Sequence, residues 1–343
     1  MDFFGLDIGS HNLKLVQLKK QKDKFKVVAL GLAPTPKSLE SEAESDLVGV
    51  AEGIKRLITA TKVSCQYVVS ALPEDKVFTR VVEFPQMKEK ELESALKWEA
   101  EQYVPIPLSE AVIDYQIITE TGKSKTGQTS DKLEAFLVAA PKSLVNKYVR
   151  VMNLAGLKLV SLETEMVSLS RSLVMPSSVP TMIIDLGARA TDIALVVNEQ
   201  IVLTRSLSNA GETITRALVN ALGLKANQAE EYKKAYGVDE SKLEGKIRQA
   251  VGPVLDVVIS EIEKTITFYK TRSKPLPVER VMLTGGTAHL PQIVHLFAER
   301  LGIEVEVGNP FQRILEAQEV LTKLGKNNTP MYSIAFGLAM KNL

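Results

Sequence analysis

Two short segments combine a carboxylate, a glycine and small polar residues directly after an apolar run. The first reads Asp-Ile-Gly-Ser-His-Asn-Leu-Lys from Asp7 to Lys14, and the second reads Asp-Leu-Gly-Ala-Arg-Ala-Thr-Asp from Asp185 to Asp192. A glycine in such a turn lets backbone N–H groups approach a phosphate closely. A carboxylate at a strand end can hold Mg²⁺ through water, because hard cations prefer oxygen ligands. Taken alone, each segment is also typical of an ordinary polar hairpin turn.

The context of the two segments is the same, which favours a shared ligand. Each follows an apolar strand and precedes a returning strand and a further strand, and such internal similarity indicates two related lobes. We therefore predict two loops that face each other, with Ser10 and Lys14 on phosphate oxygens and with Asp7 and Asp185 holding Mg²⁺ through water. The predicted contacts of the loops are Asp7, Gly9, Ser10, His11, Asn12, Lys14, Asp185, Gly187, Ala188, Arg189, Thr191 and Asp192.

Two further segments offer room for a nucleoside. Paired glycines at Gly285 and Gly286 remove side-chain bulk where a strand runs into a helix, so an adenine or ribose can lie flat there. Glu212, at the start of another helix, can accept hydrogen bonds from ribose hydroxyls. A tight strand-to-helix turn and an acidic helix cap explain the same residues without a ligand. The predicted nucleoside contacts are Gly211, Glu212, Thr215, Gly285, Gly286 and Thr287.

The elements that must position these residues alternate between strands and helices. The chain opens with a three-stranded meander, a helix and a buried strand, and the second half begins with a second meander and helix. Two helical segments after it predict a small cap, and a strand, a helix, an edge strand and a closing helix follow. The predicted bounds of the main later elements are 211–221, 227–236, 246–272, 278–283, 290–301, 304–307 and 332–341.

Between the two halves, residues 77–156 have a different residue pattern, which predicts a compact β-α-β-β-α insertion. On its first helix Leu92, Leu96 and Tyr103 fall on one apolar stripe, whereas Trp98 falls off it. Trp98 is therefore a candidate anchor for a partner, with packing inside the insertion as the alternative. A Ser/Thr/Gly/Lys loop is expected at Gly122–Thr129.

Composition narrows the class of protein. The chain has 343 residues, of which 45% are hydrophobic and 24% charged, as expected for a folded chain of two or more lobes. Its 42 basic and 41 acidic residues nearly cancel, so nucleic acid is not an expected partner. A single cysteine, Cys65, fits a reducing compartment, and no secretory signal or membrane-spanning segment is expected.

The order of the chemical segments resembles the actin, heat-shock chaperone and sugar kinase superfamily. The resemblance implies an α/β, actin-like (ribonuclease H-like) two-lobed fold that binds ATP with Mg²⁺, with adenosine at Thr284–Thr287. Within Glu163-Thr164-Glu165-Met166, it places Glu165 where the superfamily orients the attacking water, so Glu165 and Asp185 are the catalytic candidates. The implied division is 1–76, 157–180 and 312–343 for the first lobe, 77–156 for the insertion, 181–222 and 277–311 for the second lobe, and 223–276 for its cap.

The insertion after Ala71-Leu72-Pro73 is similar to the extra α+β subdomain of FtsA and of the type IV pilus assembly protein PilM family. The segments that resemble the PilM family specifically are Phe84-Pro85-Gln86-Met87, Glu91-Leu92, Lys97-Trp98-Glu99-Ala100-Glu101-Gln102-Tyr103-Val104-Pro105 and Asp114-Tyr115. FtsA proteins carry a carboxy-terminal linker and membrane helix, for which Gly337–Leu343 gives no sign, and this also favours PilM.

The PilM resemblance implies an ATP-binding cytoplasmic scaffold of the pilus assembly platform. The amino-terminal tail of PilN would lie between the first lobe and residues 77–156, at the cytoplasmic face of the inner membrane. Pilus motor ATPases and the platform protein are further implied partners, membrane contact is expected only through partners, and self-association stays open.

The sequence leaves three points open. Any ATPase activity is expected to be slow, and a small-molecule kinase on the same fold would need a catalytic base that the sequence does not offer beyond the loop carboxylates. A filament-forming division protein of the FtsA kind is the second alternative. Because type II secretion systems use similar modules, the machine itself is the third open point.

Overall fold

The computed structural model describes residues 1–37, 39–63, 65–119, 132–177, 179–272, 275–324 and 329–342. The loop expected at Gly122–Thr129 lies outside these ranges.

The first lobe is built on a five-stranded sheet with the order β3-β2-β1-β4-β8. Its central strand, β1, is buried, antiparallel to β2 and parallel to β4. The helix α1 covers one face with its apolar stripe, which includes Val50, Ile54 and Leu57. The elements are β1 (Phe4–Ile8), β2 (Asn12–Gln21), β3 (Lys24–Pro34), α1 (Glu44–Thr61), β4 (Tyr67–Leu72) and, after the insertion, β8 (Lys158–Thr164) and α4 (Glu165–Leu173).

The second lobe repeats this arrangement. Its sheet has the order β11-β10-β9-β12-β13. The buried central strand β9 is again antiparallel to one neighbour, β10, and parallel to the other, β12. The predicted internal repeat is therefore confirmed at the level of strand order and direction. The elements are β9 (Thr181–Leu186), β10 (Thr191–Val197), β11 (Gln200–Leu207), α5 (Gly211–Leu222), β12 (Arg280–Thr284), α8 (Ile293–Leu301) and β13 (Glu304–Val307).

Two helices, α6 (Ala226–Tyr236) and α7 (Lys246–Lys270), form the cap and pack with α5 on the second lobe. The apolar face of α7, with Val251, Leu255, Val258 and Ile262, joins the core of that lobe. Among the described residues, none of the helices is both long enough and apolar enough to cross a bilayer.

The insertion forms a separate three-stranded sheet, β5-β7-β6, with α2 packed on it. Leu92, Leu96 and Ala100 of α2 are buried as the stripe predicts, but Tyr103 is 44% exposed. Tyr103 therefore departs from the rest of the predicted apolar stripe, because its ring faces outward, where the Arg80 guanidinium lies 3.6 Å from the ring centroid. Trp98 is 62% exposed and is not packed inside the insertion. The elements are β5 (Phe78–Pro85), α2 (Glu89–Tyr103), β6 (Ala111–Thr119), β7 (Lys132–Pro141) and α3 (Lys142–Leu154), and α3 packs against α1.

An apolar junction joins the three units. It contains Met166 and Leu169 of α4, Phe136 of the insertion, and Ala194 and Ile201 of the second lobe. The remaining helices, α9 (Ala317–Leu324) and α10 (Ser333–Ala339), close the first lobe. The floor between the lobes is therefore continuous core, and the cleft opens above it.

Candidate functional site

A cavity of about 600 Å³ lies between the lobes and holds most of the predicted site residues. The two loops enter it from opposite sides, and the glycine pair enters it from the end of β12. The predicted residues that line it are Asp7, Gly9, Ser10, His11, Asn12, Lys14, Glu165, Asp185, Gly187, Ala188, Arg189, Asp192, Gly285 and Gly286.

The first loop is a tight turn that carries an ion pair. Asp7 and Lys14 are directly opposite each other in the β1–β2 ladder, and the Lys14 Nζ lies 2.8 Å from an Asp7 carboxylate oxygen. Burial lowers the pKa of Lys14, but Asp7, with Asp185 and Glu165 further away, outweighs it, so the pKa stands above its ordinary value. Thr35 donates its hydroxyl to the Gly9 carbonyl at 2.7 Å and fixes the turn. Lys14 is therefore a charged donor that faces the cavity.

The second loop has the same geometry, but an aspartate takes the place of the lysine. Asp185 and Asp192 occupy the positions in the β9–β10 ladder that Asp7 and Lys14 occupy in the first, so two carboxylates face each other on one side of the sheet. The Gly187 N–H donates to the Ala190 carbonyl at 3.0 Å and closes the turn.

Five predicted contacts do not line the cavity and instead brace the second loop. Gly211 and Glu212 donate backbone N–H groups to the carbonyls of Gly187 and Ala188 at 3.0 and 2.8 Å, so the start of α5 supports the loop. The others act in the same way: the Thr191 hydroxyl donates to the Asn209 carbonyl at 2.6 Å, Thr215 donates to the Gly211 carbonyl at 3.0 Å, and the Thr287 N–H donates to the Leu186 carbonyl at 3.0 Å.

Gly285 is required by its surroundings. Its φ of +85° is one that side chains rarely adopt, and a Cβ there would overlap Asp185 Oδ1 and lie 2.7 Å from the Leu186 carbonyl oxygen. Gly286 has open space in the direction of a Cβ. The first glycine lets the strand end touch the second loop, and the second leaves a flat surface.

The floor of the cavity concentrates buried negative charge. Burial, opposed by Lys14 and supported by Asp7, raises the pKa of Asp185 to about 6. Burial, and then Asp192, Asp7 and Asp185, hold the pKa of Glu165 well above its ordinary value. Burial and the neighbouring Asp185 raise the pKa of Asp192 in the same direction. Lys14 opposes this shift at Asp185, and the excess of carboxylates favours a bound cation or a proton.

The residues present fit a magnesium ion held through water. Asp185 Oδ1 and Asp192 Oδ1 are buried and have no hydrogen-bond partner among the described residues, so each has a lone pair available to a water ligand. No three acidic, histidine or cysteine side chains in the described ranges converge closely enough to coordinate an ion directly. Contact through water, as predicted for Asp7 and Asp185, needs no such group.

The mouth of the cleft carries a chain of partly exposed ion pairs. His11 of the first loop lies 3.4 Å from Glu212, and Arg189 lies 3.6 Å from the same carboxylate. Arg189 also pairs with Glu40 of the first lobe, and Lys76 lies 3.7 Å from Glu40. Arg189 is therefore a cation at the cleft mouth that already contacts the opposite lobe, and the His11 ring reaches across the same mouth.

Sequence reasoning missed three groups of residues. Lys233 of α6 is buried and donates to the Gly211 carbonyl at 3.0 Å and the Thr215 hydroxyl at 2.8 Å, next to Glu230 at 2.6 Å. Pro330 and Met331 line the cavity before α10. The third group forms an arm of the cavity between the first lobe and the insertion, lined by Leu39, Pro73, Asp75, Lys76, Pro141, Ser143, Leu144, Lys147 and Tyr148. Only the Glu-x-x-Lys spacing of the first group is a local signal, and it is common on solvated helices.

Comparison with known proteins agrees with this geometry. The family described as type IV pilus assembly protein PilM matches residues 5–343. The cell division protein FtsA of Pseudomonas aeruginosa is 26% identical over an alignment of 274 positions, and the match covers 71% of this chain and 64% of that protein. A chain of the solved PilM-PilN type IV pilus biogenesis complex is 28% identical with a TM-score of 0.81, covering 99% of this chain and 98% of that one. MreB5 of Spiroplasma citri bound to AMPPNP, at 14% identity, a TM-score of 0.50 and coverage of 95% and 97%, shares the fold.

Proposed function

Because this chain belongs to the type IV pilus assembly protein PilM family and has its actin-like, FtsA-related fold, we propose that it is an ATP-binding scaffold of the pilus assembly platform. Its nucleotide state sets its affinity for the amino-terminal tail of PilN, which ties the scaffold to the inner membrane. The protein acts in the cytoplasm and links the tail to the assembly motor.

The observation that carries this proposal is the single cavity that reaches from the phosphate loops to the insertion. The loops, the glycine pair and Met331 line one part of it, and the arm at Tyr148 lines the other. A nucleotide in the first part and a peptide in the second would share a wall formed by Lys76 and Arg189. Such a shared wall gives each ligand a direct influence on the other.

In the nucleotide part, backbone N–H groups of the two loops and the Ser10 hydroxyl bind phosphate oxygens. Lys14 and Arg189 supply positive charge, and a charge-assisted contact to phosphate is stronger than a neutral hydrogen bond. Asp7 and Asp185 hold Mg²⁺ through water, and the ion, when bound, neutralises phosphate charge. Adenosine lies against Gly285 and Gly286, where the flat backbone surface accepts a ring.

The residues behind the second loop position the nucleoside side. Lys233 holds the start of α5 through Gly211 and Thr215, which keeps Glu212 at the cleft mouth. Burying a lysine is costly unless its charge is paired, and Glu230 supplies the pair. This cluster therefore acts on ribose recognition through loop geometry.

Glu165 orients a water molecule near the terminal phosphate. Its carboxylate faces the cavity from the start of α4, where the Thr164 hydroxyl caps the helix. The raised pKa of Glu165 favours its protonated form, which cannot take a proton from water until the nearby negative charge is neutralised. Hydrolysis is therefore slow, and the chain works mainly by binding.

In the arm, the tail of PilN lies between the first lobe and the insertion. Leu39, Leu144 and Tyr148 offer apolar contacts, while Asp75 and Lys147 can pair with polar groups of an extended segment. A short peptide with apolar side chains and a few charges fits this lining.

A titration tests the proposal. Isothermal calorimetry would measure the binding of a synthetic PilN tail peptide to protein that is empty, loaded with Mg²⁺-ATP or loaded with Mg²⁺-ADP. We expect micromolar or tighter ATP binding that needs Mg²⁺, and a peptide affinity that differs at least fivefold between states. Equal peptide affinity in all three states would remove the switching role, and failure to bind ATP would remove the nucleotide site.

A further inference from the structure

The insertion touches the second lobe at a polar contact beneath the cleft. Thr79 of β5 and Thr204 of β11 place their hydroxyl oxygens 2.5 Å apart, within hydrogen-bonding distance. The two strands pack against each other there, and Arg272 adds a second link between the lobe and Glu134 of the insertion. The insertion is thus held by the second lobe as well as by the first.

Thr79 makes a second hydrogen bond, which fixes the direction of the first. Its hydroxyl donates to Glu74 Oε1 at 3.2 Å. A hydroxyl has one proton to donate, so when ionised Glu74 accepts the hydrogen bond from that proton, Thr79 accepts from Thr204. Thr204, Thr79 and Glu74 therefore form a directed chain in which each bond polarises the next.

Glu74 carries the chain to the floor of the cavity. Its backbone N–H donates to Glu165 Oε2 at 3.2 Å. It begins a single 3-10 turn, Glu74–Lys76, directly after Pro73 at the end of β4, and this short turn leaves little slack between its amide and its side chain. A displacement of the Glu165 carboxylate that keeps this hydrogen bond therefore moves Glu74, and with it Thr79.

Burying the Glu74 carboxyl group costs free energy that a purely structural role would not require. It is 3% exposed, and its Oε2 has no hydrogen-bond partner among the described residues. A half-satisfied buried carboxyl costs more than an apolar side chain of the same shape. Asp75 and Asp192 add further negative potential around it. Its position between two partners on different units gives a reason for this cost.

We propose that Glu74 and Thr79 are positioning residues that couple Glu165 in the nucleotide cavity to the contact between the insertion and the second lobe. The inference rests on the proposed function, since it names how the nucleotide state reaches the groove of the PilN tail. A nucleotide that gives Glu165 a new partner pulls on the Glu74 amide, and the hydroxyl chain shifts β5 relative to β11. The groove, whose far wall is the insertion, changes width.

The test compares variants that keep or remove the hydroxyl. Thr79→Val removes both bonds at nearly constant volume, Thr79→Ser keeps them, and Thr204→Val removes only the link between the units. Thr267→Val, on an exposed face of α7, is the matched control. For each variant, calorimetry gives the dissociation constant of the tail peptide with and without saturating Mg²⁺-ATP, and thermal unfolding verifies that the protein is folded.

The readout is the ratio of the two dissociation constants. We expect Thr79→Val and Thr204→Val to bring this ratio at least threefold closer to one, while Thr79→Ser and Thr267→Val keep the wild-type ratio. A structural role alone would change both constants equally and leave the ratio intact. A wild-type ratio in Thr79→Val and Thr204→Val overturns the coupling but not the proposed function, whereas a ratio of one in the wild type overturns both.

Discussion

At the scale of single residues, the two loops are the same hairpin with different charges. Asp7 faces Lys14 across the first ladder, and Asp185 faces Asp192 across the second. One loop therefore supplies a cation for phosphate, and the other supplies lone pairs for hydrated Mg²⁺. The pair is complementary to a metal-bound polyphosphate in a way that neither loop is alone.

Gly285→Ala tests the close approach of the glycine pair to the second loop. We expect a loss of unfolding free energy of about 2 kcal/mol or more, because the positive φ costs about 1–2 kcal/mol and the Cβ overlaps Asp185. Urea unfolding without nucleotide measures it. Gly286→Ala is the control, since its Cβ would meet nothing within 4 Å, and a similar loss in both variants would contradict the close approach.

Glu74→Gln tests the buried carboxyl at the start of the 3-10 turn. Burial raises the pKa of Glu74 to about 7 from 4.5, so the folded state holds a proton that the unfolded state releases. Its contribution to stability is full below about pH 4.5 and is lost as the pH rises to about 7. The advantage of Glu74→Gln over wild type should therefore grow by on the order of 2 kcal/mol from pH 5 to pH 8.

Urea unfolding at the two pH values measures this difference. Glu93→Gln, on the exposed face of α2, is the control and should show the pH dependence of the wild type. An advantage that is the same at both pH values would mean that Glu74 titrates normally.

At the scale of elements, the placement of Glu165 depends on how closely two helices cross. α10 packs on α4 and β1, and a Cβ at Gly337 would overlap the Ser168 carbonyl. Arg171 of α4 further donates to the Gly337 carbonyl at 2.6 Å and pairs with Glu163. The closing helix therefore sets the depth at which α4 presents Glu165 to the cavity.

Gly337→Ala should separate α10 from α4. We expect a loss of about 3 kcal/mol in unfolding free energy, because the obstruction is backbone and not a flexible side chain. Gly252→Ala in α7 is a matched helical control, since its Cβ would meet only the mobile end of Arg248, and alanine favours a helix by up to about 1 kcal/mol. Chemical denaturation of both variants decides, and equal stability would refute the close crossing.

At the scale of the whole molecule, an apolar junction joins the lobes, and the ion pairs between them contribute little to stability. The junction includes buried residues of both lobes and of the insertion. The pairs at the cleft mouth are 40–62% exposed, so each contributes at most about 1 kcal/mol. Their main use is to hold His11 and Arg189 where a phosphate would arrive.

Arg189→Gln separates the role of Arg189 in stability from its role in phosphate binding. We expect a change in unfolding free energy below about 1 kcal/mol, but a roughly tenfold weaker affinity for Mg²⁺-ATP, because a charge-assisted phosphate contact is lost. Arg56→Gln, exposed on α1, should change neither quantity. Calorimetry and urea unfolding give both values, and an unchanged ATP affinity would exclude Arg189 from the phosphate site.

The family and the actin-like fold were predictable from the sequence because their signals are local. Consecutive residues are enough to predict a strand, a glycine turn and a returning strand. The repetition of this pattern at Asp7 and Asp185 predicted two related lobes. Tyr103 shows where such patterns end: its spacing places it on the apolar stripe of α2, but its ring stacks on the Arg80 guanidinium and is 44% exposed.

Only the tertiary structure decided which polar residues are buried and what they contact. Glu74 and Tyr148 have no motif signal, and Lys233 has only the common Glu-x-x-Lys spacing, yet they lie between Thr79 and Glu165, in an arm of the cavity and beneath the start of α5. Thr191 and Thr287 lie in the predicted segments, but only the structure shows that they brace the second loop instead of lining the cavity. The physical reason is that desolvation and hydrogen bonding depend on residues that are distant in the chain, such as Glu165, which lies 91 residues from Glu74, and packing alone brings these together.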